Sequence, residues 1–373
     1  MFSPWQVRCG IADYTAHLVE ALRALDDVQV SVVPFDRRPH PRSDYADWGR
    51  RMNTGDVAHI QHEYAFFGYL LPWRNHFRSF ISQIRRPLVI TKHVSFDGPL
   101  TLVGQGWLSF VRRAKWSMYN RWLGAYATYL NRDTFDVARQ IIVLDTHLKD
   151  QLIVRGIRSE KINVIPPGVP RVPRAMGGER LRAEWGWSDK RIIGQFGFIT
   201  PAKGHALALD VVAHLPDDHV LLVAGGLRRE ADRGALDAVR QRIARLNLED
   251  RVRITGYLNA VDVPAHIHAC DVLIYPYTHV DSSYSVMTGL AYQTVPVIIS
   301  DVSAHRELAE RRAGVELFRS GDPADLRRAI QSVLNDEERR AAMRRDTLRF
   351  AQEYSWQAIA RKTREVYLRA LQD

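Results

Sequence analysis

Val272-Leu-Ile-Tyr-Pro-Tyr-Thr-His-Val-Asp-Ser-Ser-Tyr-Ser-Val286, followed a helix-length later by Val295-Pro-Val-Ile-Ile-Ser300, is the stretch that decides the fold. An apolar run, a polar loop, room for a helix and a second β-branched run make a strand-loop-helix-strand unit, the building block of parallel sheets. Ligands of open α/β sheets bind beyond the carboxyl ends of the strands, so the loop after Tyr275 is a candidate site. Ser282, Ser283 and Ser285 fall where the helix should begin. Unpaired backbone N–H groups, serine hydroxyls and the helix dipole together attract an anion there. Serines of this kind also serve as plain N-caps with no ligand; a helix start facing a cleft between domains favours the phosphate reading.

The same unit recurs outward in both directions. Strand-like runs are Val28–Phe35, Val57–Gln61, Pro87–Thr91, Ile141–Leu144, Arg191–Ile199, His219–Ala224, Arg251–Gly256, Val272–Tyr275 and Val295–Ser300. Several are apolar almost throughout, which suits strands covered on both faces. Between them Leu18, Leu22 and Leu25, and then Ala206, Leu209 and Val212, recur at helical spacing. Right-handed crossovers then put helices on both faces of each sheet. Only Met1–Ser3 precede the first glycine loop as strand material, so the first strand is very short or begins upstream. The 373 residues exceed the roughly 250–300 at which single cores stop growing. Ile165-Pro-Pro-Gly-Val-Pro-Arg-Val-Pro-Arg-Ala-Met-Gly-Gly178 interrupts the pattern with prolines and glycines and reads as a linker. The expected division is therefore 1–170 and 171–354, with a last helix over 355–373 returning to the first domain.

Two further loops share the sheet edge. Gly194-Gln-Phe-Gly-Phe-Ile-Thr-Pro-Ala-Lys-Gly204 runs from a strand into a helix start, where Gly197 opens the loop and Lys203 can hold a diphosphate as a point charge. In Arg251-Val-Arg-Ile-Thr-Gly-Tyr-Leu-Asn259, Tyr257 and Leu258 can cover a nucleobase or simply end a strand. Thr91-Lys92-His93 ends another strand and aims His93 at the cleft. His59 and His62 lie on opposite faces of one strand, and His266 and His268 do not share a helix face, so no metal site is expected.

Charge narrows the partners. Residues 1–170 carry 22 Lys/Arg against 15 Asp/Glu, and Leu70 to Arg121 hold nine basic residues and one acid, Asp97. Such a face is a solvated surface or attracts phosphates and anionic lipid. Within it, Trp107, Phe110, Val111, Ala114, Met118 and Trp122 approximate one helix face, either a membrane-surface stripe or a core stripe. No window approaches the ~20 apolar residues of a membrane span, and the N-terminus lacks a secretory apolar stretch. A cytoplasmic protein is expected, with any membrane contact peripheral. No nucleic-acid module is present, and no Gly-x-Gly-x-x-Gly loop follows a strand, which excludes a dinucleotide dehydrogenase.

Taken together these motifs resemble family 4 retaining glycosyltransferases of the GT-B fold. Asp281 to Val297 is similar to their donor-binding signature, and Gly197 through Lys203-Gly204 to their phosphate-lysine loop. Ala269-Cys-Asp-Val-Leu-Ile-Tyr-Pro276 resembles the strand before the signature, Gly10-Ile-Ala-Asp-Tyr-Thr15 the opening glycine loop, and Lys161-Ile-Asn-Val-Ile-Pro-Pro-Gly168 the end of the first domain. The resemblance implies two Rossmann-like, doubly wound domains facing a central cleft. It implies transfer of a hexosyl group from a nucleotide sugar to a sugar or lipid-linked acceptor, with retention and without a metal or other cofactor. Lys203, Asp281 and His93 become the catalytic set; Gly10, Gly197, Lys203, Tyr257, Leu258, Ser282, Ser283, Tyr284, Ser285 and Val286 become donor contacts. Synthesis of cell-surface polysaccharide or glycolipid is the implied setting. The sequence departs from the family at two places. Of two glutamates separated by seven intervening residues, the first is Asp281 and the second Gly289, and the arginine after the phosphate-loop glycine is Phe198. A glutamate in place of Gly289 is expected to be tolerated or to alter base preference. The rival reading from these departures is a non-catalytic GT-B subunit that binds a partner enzyme or a sugar nucleotide.

Overall fold

The structure is a computed structural model that describes residues 1–7, 9–36, 38–68, 75–94, 125, 129, 132–172, 177–227, 230–279 and 284–372. It divides into two compact units, one of Met1–Val7, Ile11–Pro166 and Ala360–Asp373, the other of Arg8–Gly10 and Pro167–Ile359.

In the first unit β1 (Phe2–Pro4), β2 (Val33–Phe35), β3 (Ala58–His62), β4 (Leu88–Lys92), β5 (Gln140–Val143) and β6 (Ile162–Val164) form one parallel sheet in the order β2-β1-β3-β4-β5-β6. The opening strand is three residues long yet internal to the sheet. Phe2 is fully buried and stacks on Phe35 with ring centroids 4.5 Å apart. A hydrogen bond of 2.7 Å between the Ser3 and Thr15 hydroxyls ties that strand to the Gly10–Arg23 helix. Leu18 and Leu22 of this helix are wholly buried, as their spacing predicts. The expected Val28–Phe35 strand contracts to Val33–Phe35. Gln29 and Ser31 face solvent before β2, which is an edge strand.

In the second unit β7 (Arg191–Phe196), β8 (His219–Ala224), β9 (Val252–Ile254), β10 (Val272–Tyr275), β11 (Val297–Ser300) and β12 (Val315–Phe318) pair in parallel as β12-β11-β10-β7-β8-β9. This is the doubly wound order, and its direction reverses between β7 and β10. The His205–Ala213 helix buries His205, Ala208, Leu209 and Val212, while Ala206 is exposed. The core stripe is thus set by His205 and Ala208, not by Ala206. The predicted linker begins as packed structure: the Val169 N–H donates to the Tyr354 carbonyl at 2.8 Å, and Gly168 lies against the Trp356 indole. Residues 173–176 of that stretch lie outside the described ones.

Lys92 corrects the basic-surface reading. It is fully buried at the end of β4, and its ammonium donates to the Val94 carbonyl at 2.9 Å. Arg78, Arg85 and Arg86 are exposed, Arg78 being paired with Asp133 at 2.6 Å. Trp107, Trp122 and the rest of that aromatic-basic stretch lie outside the described residues. Among the described residues no helix is long and apolar enough to cross a membrane.

Candidate functional site

The loops after β7 and β10 leave the same sheet edge beside the reversal point, and their backbones interlock. The Thr278 N–H donates to the Ala202 carbonyl at 3.0 Å, and the Gln195 side-chain amide donates to the Lys203 carbonyl at 2.7 Å. Gly204, at φ +70°, starts the next helix with no room for a Cβ, because the Pro276 carbonyl stands in that place. These contacts fix the backbone on both sides of Lys203. Its ammonium rests 3.7 Å from the centroid of the Tyr277 ring, a cation–π contact. Tyr277 is itself held hard. It is fully buried, and its carbonyl accepts from the hydroxyls of Ser300 at 2.7 Å and Ser320 at 3.1 Å.

Gly197 meets the helix that follows β10. A Cβ on Gly197 would lie 2.9 Å from the Ser285 hydroxyl oxygen, so the loop of Lys203 and the helix Tyr284–Ala291 touch at Gly197 and Ser285. Gly226 similarly abuts the Tyr257 backbone, and the rings of Phe198 and Tyr257 stack at 6.3 Å. Tyr257 is half-exposed. Leu258 is partly buried next to it. Val286 is completely buried. Asp281, Ser282 and Ser283 lie outside the described residues.

Gly289 is not an empty family position. A Cβ there would collide with the Tyr275 hydroxyl and press on the Leu273 and Tyr275 side chains, all buried. The expectation that glutamate is tolerated is therefore corrected: its side chain has no space, and its charge would be buried beside the phenol.

Two histidines flank Lys203 electrostatically. Burial pushes His205 down to about 4, with the Lys203 charge adding to the effect. His305 is also pushed to about 4 by burial, opposed by its bond to the Ser300 carbonyl and assisted by Lys203. Both are neutral imidazoles near pH 7.

In the first unit His93 follows β4 and is buried. Its Nε2 lies 2.7 Å from the Gln61 side-chain oxygen, and the Tyr14 ring meets it edge-on at 4.8 Å. An Nε2–H donating to Gln61 leaves the acceptor lone pair on Nδ1. Burial holds its pKa at about 3, so it is an uncharged hydrogen-bond acceptor at neutral pH. Gly10 begins the Gly10–Arg23 helix with open space where a Cβ would be. His59 bonds Tyr367 and Thr91, each at 2.7 Å, whereas His62 sits among Tyr64, Phe67, Phe77 and Phe135. Among the described residues no cluster of three or more His, Cys, Asp or Glu could hold a metal ion. Sequence reading did not single out Gln61, Gln195, Tyr275 or Tyr277. The only signal was that the two tyrosines flank the proline ending β10.

Comparison with known proteins places these two units. Residues 9–171 match the model described as Glycosyltransferase Family 4, and residues 178–349 match Glycosyl transferases group 1. A D-inositol 3-phosphate glycosyltransferase of Kineococcus radiotolerans is 27% identical over 63% of this chain and 58% of its own length. A 2-deoxystreptamine glucosyltransferase of Streptomyces kanamyceticus is 30% identical over 48% of this chain and 47% of its own length. The matched region thus spans about half of these curated relatives. Among solved structures, HepE of Anabaena in complex with UDP and glucose superposes with a TM-score of 0.73 at 18% identity, covering 98% of both chains. Sucrose-phosphate synthase of Thermosynechococcus elongatus superposes with a TM-score of 0.69 at 16% identity, covering 96% of this chain and 93% of its own. At such identities the likeness concerns the fold. The chain is built of a glycosyltransferase family 4 domain followed by a group 1 glycosyl transferase domain, on the GT-B fold.

Proposed function

We propose that this chain transfers a hexosyl group from a nucleotide-sugar donor to an acceptor hydroxyl, with retention and without a metal. The observation that carries the reading is the meeting of Gly197, Lys203 and Ser285 at one sheet edge. A backbone-fixed lysine and the first turn of a helix present positive charge and N–H donors to the same place. As the glycosidic bond breaks, negative charge builds on the departing diphosphate. Donors fixed beforehand stabilise that charge more than they stabilise the bound ground state. Tyr257, half-exposed beside this loop, suits contact with a nucleobase. Asp281 would orient sugar hydroxyls, and neutral His93 would accept a hydrogen bond from one of them. HepE was solved with UDP, which makes UDP-sugars the first donors to try. Relatives named for inositol phosphate and deoxystreptamine make a ring polyol one acceptor class. A lipid-linked sugar at an anionic membrane, as in polysaccharide or glycolipid synthesis, is the other, favoured by the basic run from Leu70 to Arg121.

The test is a screen of nucleotide sugars for thermal stabilisation, followed by turnover with both acceptor classes. Stabilisation by one donor, turnover with retained anomeric configuration, and its loss in Asp281→Ala are the expected results. Binding without turnover on any acceptor would make the chain a sugar-nucleotide-binding subunit and overturn the catalytic reading.

A further inference from the structure

Tyr275 ends β10 wholly buried, and its hydroxyl donates to the Ser285 carbonyl at 2.9 Å. Ser285 is the second residue of the Tyr284–Ala291 helix, and in a helix its carbonyl ordinarily accepts from the N–H four residues on, that of Gly289. The phenol therefore reaches a helical carbonyl at the very residue that lacks a side chain. A Cβ at Gly289 would collide with the phenol oxygen and lie 3.2 Å from Cε2 of the same ring. Glycine is the poorest helix former after proline, so helix propensity does not account for it here. The space it leaves is filled by the phenol.

The consequence reaches the phosphate edge. Ser285 is held from two sides, its carbonyl by Tyr275 and its side chain against Gly197 of the Lys203 loop. The Tyr275 ring also packs edge-on against Tyr277, at 5.7 Å, and Tyr277 carries the Lys203 ammonium on its face. Tyr275 at the end of β10 and Tyr277 just beyond it thus set both halves of the charge-binding edge: Tyr275 the first helical turn, Tyr277 the lysine.

We infer that Tyr275 is a positioning residue for the diphosphate site, acting through the Ser285 carbonyl, and that Gly289 is the residue that admits it. The inference rests on the donor-site reading above. Tyr275 touches no donor atom in this role. It fixes the direction of the first-turn N–H groups, which must stand in place before charge arrives. Removing the hydroxyl leaves the aromatic packing and lets the turn shift relative to Lys203. Adding a methyl at Gly289 displaces the phenol and produces the same shift by another route.

The experiment compares the affinities of UDP and uridine by calorimetry in the parent, Tyr275→Phe, Gly289→Ala and the double variant, because only the diphosphate senses the helix start. In the parent UDP binds more tightly than uridine. Tyr275→Phe is expected to shrink that preference about five-fold, with uridine affinity unchanged within two-fold. Gly289→Ala should shrink it similarly, and in the Tyr275→Phe background it should add little, since the colliding oxygen is gone. An unchanged preference in Tyr275→Phe, equal losses for both ligands, or additive effects in the double variant would each overturn the inference. Should Tyr275→Phe not fold, Gly289→Ala alone reads the same preference, and no change there overturns it. A parent that binds UDP no better than uridine would remove the diphosphate site itself, a failure distinct from a parent with the preference and a Tyr275→Phe protein that keeps it.

Discussion

Acidification is the perturbation whose size the structure sets most directly. Five buried histidines have strongly lowered pKa values, His59, His62 and His93 in the first unit and His205 and His305 in the second. Burial holds His62 and His93 at about 3 and His205 and His305 at about 4, and His59 well below the ordinary 6.5. Each folded-state value lies below the unfolded one, so the unfolded chain takes up the proton first. The stability these neutral rings carry is complete above pH 6.5 and is lost as pH falls toward the folded value. Between pH 7 and pH 5 one such histidine loses about 2 kcal/mol. His62 and His93 together remove roughly 4 kcal/mol from the first unit, with His59 adding in the same direction, and His205 and His305 remove roughly 4 kcal/mol from the second, against a typical total of about 5–15 kcal/mol. Urea unfolding at pH 7.5, 6.5 and 5.5, followed by probes in each unit, should therefore find the first unit failing earlier. His62→Phe replaces an imidazole that already lies among four aromatic rings. It should cost about 1 kcal/mol or less at pH 7 and flatten the first unit's loss by about 1.4 kcal/mol per pH unit below 6. Equal stability at pH 7.5 and 5.5, or an unaltered slope in His62→Phe, would refute the view that these rings are buried neutral.

The remaining expectations concern the ligands. Lys203→Ala should weaken UDP by about 1.5–3 kcal/mol and leave uridine unchanged in a calorimetric titration, as loss of a charge-assisted contact requires; equal effects on both would remove Lys203 from the phosphate site. If the basic run meets a membrane, the protein should co-sediment with anionic vesicles, each basic residue near the surface contributing about 1 kcal/mol. Release should follow rising salt, with a salt-resistant fraction that Trp107→Ser or Trp122→Ser abolishes. Absence of vesicle binding at low salt, with both variants less heat-stable, would mark a core helix.

The alternation of apolar runs and helical stripes was enough to foresee two parallel sheets, because strands covered on both faces leave an unbroken apolar signature in Ile192–Ile193, Val220–Val223 and Val272–Ile274. Lys203 was legible for a similar reason, since strand, loop and helix start converge on one short motif. Lys92 was not. A strand buried on both faces gives no parity by which to tell an inward lysine from an outward one, and its partner is a backbone carbonyl two residues on. Tyr275 escaped because its bond reaches a main-chain oxygen ten residues away, and main-chain acceptors carry no mark in sequence. The stripe of the His205–Ala213 helix was misplaced because His205 counts as polar in a pattern, yet it enters the core as a neutral ring.

The two departures from the glycosyltransferase pattern read differently once their neighbours are known. Taken as missing groups, Phe198 and Gly289 are an absent guanidinium and an absent carboxylate, and they favour decay of the site. Decay of a buried contact leaves unpaired polar atoms or unfilled space, both of which destabilise. At Gly289 the space is filled, while the buried Tyr277 hydroxyl nearby has no hydrogen-bond partner among the described residues. Phe198 stacks on Tyr257. The space at Gly289 is occupied by a phenol whose oxygen has a hydrogen-bond partner. Lys203 at this edge rests on a further aromatic ring, that of Tyr277. The aromatic packing around Lys203 and Ser285 is what the proposed diphosphate site requires: a lysine held by Tyr277 and a helix start held by Tyr275.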